Sequence, residues 1–230
     1  MTQEERMPPG PPLPVDFAGS SVWLLPERAL WWPAGRAMFV ADLHLGKAAA
    51  YRALGQPVPA GTTRENLARL SALLLHYQPR QLVFLGDLLH AAQARTPSVL
   101  DGLAAWRESF AALDCVLVRG NHDSRAGDPP DSLGIRVVDE PFVLGPFAAC
   151  HHPQHHETLG VIAGHLHPAL SLYGTGRDSL RLPCFYMEAG LLVLPAFGEF
   201  TGGWSVARQP GRRRYPVGDN RVWQLPERDD

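Results

Sequence analysis

Cysteine is scarce in this chain of 230 residues: Cys115, Cys150 and Cys184 are the only three, odd in number and far apart. That excludes a disulfide framework and a cysteine-built zinc knuckle, and fits small core residues in a reducing compartment. Long apolar runs are missing too. None approaches the ~18 residues of a membrane span, so no membrane is expected as a partner. Residues 1–16 are proline-rich and polar, without the basic start and apolar core of a secretory signal. They read as a flexible N-terminal arm on a single domain over 17–230, and the expected location is cytoplasmic. A charge bias is also lacking, since 21 Lys and Arg against 23 Asp and Glu leave a net charge of −2. The chain as a whole therefore does not demand a nucleic-acid partner, although a local basic patch would suffice for one. With 45% hydrophobic and 19% charged residues, it has an ordinary globular composition and the length for a full core.

What is present is a series of short apolar runs, each ending in a polar cluster. Residues 22–25 and 29–32 read as two strands joined by a turn at Pro26-Glu27-Arg28, and 37–40 as a third. Thr62 or Thr63 is placed to cap a helix in which Leu67, Leu70, Leu74 and Tyr77 share a face before Pro79 closes it. A strand over 82–85 follows, then a helix opened by Pro97 and Ser98 that reaches about Leu113, then a strand over 115–118. This alternation is the pattern of a parallel, doubly wound sheet. From residue 137 onward the runs are short and closely spaced without helical periodicity, which predicts a second, mixed or antiparallel sheet packed on the first. The expected fold is thus an α/β sandwich of two packed mixed sheets flanked by helices.

Five polar clusters follow these runs: Asp42-Leu43-His44, Gly86-Asp87, Gly120-Asn121-His122-Asp123, His151-His152-Pro153 and Gly164-His165-Leu166-His167. The carboxyl ends of strands are where open α/β sheets bind ligands. Any one cluster has a bland explanation: a turn, a helix cap or a loop. All five in this order, supplying carboxylate, imidazole and amide oxygen together, make a ligand set suited to manganese, iron, zinc or cobalt.

These motifs, from Asp42 to His167, resemble the calcineurin-like metallophosphoesterases. The resemblance implies two divalent ions, manganese foremost with iron, zinc or cobalt as alternatives. One would be held by Asp42, His44 and His167, the other by Asn121, His151 and His165, with Asp87 bridging them. It implies a shared hydroxide that attacks phosphorus in line, and a His122 that serves the leaving group and phosphate, its ring fixed by Asp123. A narrower resemblance is carried by Asp42-Leu43-His44-Leu45-Gly46-Lys47, by Gly55-Gln56-Pro57-Val58-Pro59 with Gly61-Thr62-Thr63, and by the stretch from Leu194 to Gly203. These look like the bacterial ligase-associated DNA damage response endonucleases. That branch implies a manganese-dependent DNA endonuclease of DNA repair, acting on single-stranded or structured DNA and associated with an ATP-dependent DNA ligase, a helicase and an exonuclease.

Further substrate contacts are expected from Lys47, His90, Arg125 and His152, beside or within the clusters. His76, His155 and His156 read as structural or loop residues, and Arg212-Arg213-Arg214 as a solvated basic run that could touch DNA. Two other readings compete. One is the same chemistry on a nucleotide or small phosphate ester. The other is a non-catalytic interaction module, which should have lost ligands, whereas none is missing here. Homo-oligomerisation is left open.

Overall fold

The computed structural model describes residues 9–53, 55, 61–175, 178–199 and 201–226. The Gln56-Pro57-Val58-Pro59 part of the narrower motif, Phe200 and the acidic end at Glu227, Asp229 and Asp230 lie outside them.

The first sheet runs β1 (Leu13–Phe17), β2 (Ser20–Leu24), β3 (Ala29–Trp32), β4 (Ala37–Val40), β5 (Gln81–Phe84), β6 (Asp114–Val118) and β7 (Ile135–Val138), in that spatial order. Strands β1 to β4 pair antiparallel, and β4 to β7 pair parallel. The crossovers carry α1 (Lys47–Ala53), α2 (Thr62–Tyr77), α3 (Pro97–Ser109) and α4 (Asn121–Ala126).

Beyond the polar first residues Gln81 of β5 and Asp114 of β6, strands β4 to β6 are apolar because both faces are buried. Met38, Val40, Leu82, Phe84, Cys115 and Leu117 pack against Leu67, Leu70, Leu74, Leu103 and Trp106 of the helices. Ala37, Phe39, Val83 and Val118 turn the other way, onto Phe147, Ile162, Phe185 and Leu192. Those residues belong to a second sheet built of β8 (Phe142–Leu144), β9 (Phe147–Ala149), β10 (Gly160–Ala163), β11 (Pro168–Tyr173), β12 (Ser179–Glu188), β13 (Leu191–Val193), β14 (Trp204–Ser205), β15 (Arg213–Gly218) and β16 (Arg221–Val222). Strand β10 lies between β9 and β13, parallel to both, and the β11–β12 pair is antiparallel. The two-sheet α/β sandwich expected from the sequence is what forms.

Several local expectations change. The first sheet is not doubly wound: α2 and α3 pack on one face because the second sheet takes the other. Of the residues read as a loose arm, 13–16 pair with β2 as part of β1. The N-cap of α2 is Gly61, at φ 98°, and neither threonine caps it. Thr63 instead accepts the Gly46 N–H at 3.1 Å, tying α2 to the loop before α1. Helix α3 stops at Ser109, and Arg107 reaches on to the carbonyls of Phe110 and Leu133. The basic run is not a solvated tail. Arg213 and Arg214 lie in β15, and Arg212 pairs with Glu188 at 2.8 Å. Cys115, Cys150 and Cys184 are buried and unbridged. Among the described residues no helix is long and apolar enough to cross a membrane.

Candidate metal centre

The polar clusters converge at the carboxyl ends of β4, β5, β6 and β10 and in the loop after β9. Asp42, His44, Asp87, His165 and His167 all adopt positive φ, between 46° and 69°. This left-handed region is unfavourable for residues with a Cβ and concentrates at functional sites. Two glycines make the convergence possible. A Cβ on Gly86 would stand 2.1 Å from His151 Nδ1, and one on Gly120 would stand 2.3 Å from Asp87 Oδ1.

Two groups of donors result. In the first, His167 Nε2 lies 3.2 Å from His44 Nε2 and 3.4 Å from Asp42 Oδ1. In the second, His151 Nε2 lies 2.9 Å from Asn121 Oδ1 and 3.0 Å from His165 Nδ1. Asp87 stands between them, its Oδ2 3.8 Å from His44 Nε2 and its Oδ1 3.6 Å from His151 Nε2. Asp42, His44, Asp87 and His151 are buried. The structure thus brings together all seven residues expected to ligate metal.

The donor set fits divalent cations. His151 Nδ1 faces the Leu85 carbonyl at 2.9 Å and donates to it, so the Nε2 of the neutral ring carries a lone pair. That lone pair points at the Asn121 amide oxygen, a second acceptor, at hydrogen-bond distance. His167 is oriented in the same way, Nδ1 donating to the Gly202 carbonyl at 3.1 Å, but against the effect of burial the Asp42 carboxylate beside its Nε2 raises the imidazole. Facing acceptors repel unless a cation lies between them, and a backbone carbonyl on the far ring nitrogen is how ligating histidines are oriented. Asp42 Oδ1 and His44 Nδ1 are buried without a hydrogen-bond partner, a costly state that a bound cation would relieve. Burial, followed by the nearby Lys47 charge, holds His44 far below the usual imidazole range, in the neutral form a metal requires. Burial, then His151 and His152, also lower His165.

Asp123 differs from its expected role. Its carboxylate does not orient His122 but accepts the backbone N–H groups of Asp87 at 2.7 Å, Leu88 at 3.0 Å and Gly120 at 3.0 Å. Burial pushes the carboxyl up to about 6, against the pull of those donors. The residue reaches the ring too poorly because it sits at the third position of α4, folded back over the helix start. His122 Nδ1 instead donates to the His90 carbonyl at 2.7 Å, and the two rings stack at 5.1 Å. Its Nε2 lies 4.0 Å from Asp87 Oδ2. His90 thus adjoins the site, acting through its backbone.

Lys47 is buried at the start of α1 with its ammonium 5.7 Å from the Tyr51 ring. Burial lowers it, while Asp42 and Asp87 oppose the shift. His152 packs 4.5 Å from the His165 ring. Arg125 is exposed on α4, and no hydrogen bond or ion pair among the described residues ties it to the cluster. His156 caps the N–H groups of Thr158 and Leu159, as suits a loop residue.

Sequence reasoning missed Glu140. Its carboxylate accepts the backbone N–H of His151 at 2.7 Å and of His152 at 2.9 Å, and pairs with His152 Nδ1 at 2.8 Å. A lone glutamate before a proline carries no motif that could have flagged it. The carbonyls of Leu85, His90 and Gly202 were missed because every residue has one.

Fold and rim together define a two-sheet hydrolase scaffold that gathers aspartate, histidine and asparagine donors at its strand ends. The chain belongs to the calcineurin-like phosphoesterase family, whose model matches residues 35–165. A solved structure of the Pseudomonas putida nuclease MPE is 49% identical, covers 94% of this chain and 100% of that one, and superposes with a TM-score of 0.83. The phosphoesterase Yfce from E. coli is 15% identical, with 82% of this chain and 97% of that one covered and a TM-score of 0.41. No curated protein matches significantly.

Proposed function

We propose that this protein is a DNA endonuclease that hydrolyses phosphodiesters of single-stranded or structured DNA with two divalent ions, manganese foremost. The observation that carries this reading is the division of Asp87, one oxygen toward His44 and the other toward His151. Asp42, His44 and His167 would hold one ion and Asn121, His151 and His165 the other, with the Asp87 carboxylate available to both. When bound, such ions supply a nucleophile by lowering the pKa of water and neutralise charge on the phosphate.

The chain's own groups do the rest. The His90 carbonyl occupies His122 Nδ1, so it is the imidazolium form of the ring that would present a proton on Nε2 to the departing oxygen. The Lys47 ammonium adds positive charge beside the phosphate. The 49% identity to a nuclease over nearly the whole chain supports DNA as the substrate. A role in DNA repair beside an ATP-dependent ligase, a helicase and an exonuclease rests on the narrower motif resemblance, and a cytoplasmic location on the unbridged thiols.

A metal-by-substrate screen tests the reading. Manganese, iron, zinc and cobalt are each offered with a single-stranded DNA circle, mononucleotides and bis-nitrophenyl phosphate. The expected result is linearisation of the circle, fastest with manganese. Turnover of mononucleotides without any cutting of DNA would establish a small-ester phosphoesterase instead.

A further inference from the structure

Beside the metal centre, under the glycine-rich loop, lies a cavity of about 220 Å³ whose wall includes His167, Arg28, Arg181, Glu199, Thr201 and Gly202. The loop is pressed against the rim: Phe197 and Gly198 donate to the carbonyls of Ala41 and Asp42 at 2.7 and 3.0 Å. A Cβ on Gly198 would fall 2.3 Å from the Leu43 carbonyl oxygen. Through Gly202 the same loop holds the His167 ring. One wall of the cavity is therefore a residue of the candidate metal centre, so a group filling the cavity would lie beside that centre.

The two arginines of the cavity differ in charge balance. Arg28 is ion-paired with Glu199, which also pairs with Arg69. Arg181, on β12, has no carboxylate partner among the described residues. Its guanidinium donates to the hydroxyls of Ser171 at 3.3 Å and Ser205 at 2.9 Å and to the Gly203 carbonyl. These neutral oxygens fix the planar fork without cancelling its charge. An uncancelled guanidinium held in a fixed plane is suited to two oxygens of one phosphate.

We infer that this cavity is a subsite for a second phosphodiester of the same strand, the neighbour of the one cut, and that Arg181 is the residue that binds it. The inference rests on the nuclease reading and deepens it. A polynucleotide carries a phosphate on each side of the scissile one, whereas a mononucleotide or simple diester does not. Arg181 would thus favour chains over small esters without touching the reacting atoms.

The test uses the full-length, manganese-loaded protein. Binding of a short phosphorothioate single strand is measured across a salt series, and hydrolysis of DNA and of bis-nitrophenyl phosphate is measured in parallel. Each phosphate neutralised on a single strand contributes about 0.7 to the slope of log affinity against log salt. Arg181→Ala should flatten that slope by about 0.7. It should also lower kcat/KM on single-stranded DNA roughly tenfold or more through KM, with the nitrophenyl diester unaffected. Arg181→Lys should keep the slope. Arg136→Ala, removing an exposed arginine on β7 that pairs with Asp114, should leave both readouts unchanged. An unchanged slope in Arg181→Ala, or the same flattening in Arg136→Ala, overturns the assignment. So does an equal loss on both substrates, which would make Arg181 a support for the loop and His167. Wild-type protein that hydrolyses the nitrophenyl diester but neither binds nor cuts the strand defeats the nuclease reading itself. Wild-type binding with an unaltered slope in the variant defeats only the subsite.

Discussion

Asp123 accepts the backbone N–H of Asp87 at 2.7 Å, so the carboxylate at the start of α4 holds the loop that presents the central aspartate. Its influence on chemistry therefore runs through Asp87 and not through the neighbouring His122. Asp123→Asn puts an amide NH₂ among N–H donors and leaves some of them unpaired in a buried place, at a cost of about 1–3 kcal/mol. The expected outcome is a lower melting temperature and similar proportional losses on DNA and on a nitrophenyl diester. A selective loss on DNA would restore the ring-orienting role to Asp123.

His122→Ala should behave differently. General acid assistance is worth about 10²–10⁴-fold, and most where the leaving alkoxide is strongly basic. The variant should keep its metals by elemental analysis, lose nearly all DNA cleavage and retain much more activity on a nitrophenyl diester, whose leaving group departs without a proton. Release of a metal, or equal slowing of both substrates, would show that the imidazole is a ligand or a simple phosphate anchor.

Because the two oxygens of Asp87 face different donor groups, Asp87→Ala should weaken both metal sites. Asn121→Ala, which removes the amide oxygen that lies 2.9 Å from His151 Nε2, should weaken one. Metal stoichiometry after dialysis separates the two patterns. Equal loss of both ions in both variants would contradict the division of ligands.

Glu199 gives a pH-dependent prediction away from the metals. Burial alone would raise its carboxyl, but Arg28 and Arg69 overcome that and hold it below the ordinary 4.5. In the unfolded chain the group takes up its proton at the higher pH, so between the two values the unfolded state binds more protons. The stabilisation is therefore full above about 4.5 and fades as pH falls through the folded value. Glu199→Gln should melt lower than wild type at neutral pH, and the gap should close in acid. A gap that stays constant into strong acid would mean that the ion pairs contribute nothing.

The strand-end clusters were legible because each follows a run of residues buried on both faces, which marks the strand and so the place where it ends. Val83 and Phe84 before Gly86-Asp87, and Leu117 and Val118 before Asn121, show this most clearly. Strand β1 was not legible, since Leu13-Pro14-Val15-Asp16 shows exposed and half-buried residues on an edge and looks like any polar, proline-bearing segment. The carboxylate after His122 misled because adjacency in sequence is not adjacency in space at the first turn of a helix, where side chains splay apart. Arg181 gave no signal because its partners, Ser171, Gly203 and Ser205, meet it only once β11, β12 and β14 are side by side.

The loops bearing the proposed ligands come from both sheets: Asp42, Asp87 and Asn121 follow strands of the first, and His151, His165 and His167 those of the second. Below the rim the sheets adhere through apolar side chains. At the rim, the cations would act as rivets through both layers. Chelation would then do more than silence the enzyme. It would free the seam at one end, and amide exchange should accelerate first in the segments around Gly86 and Gly164, while the strands farther down stay protected.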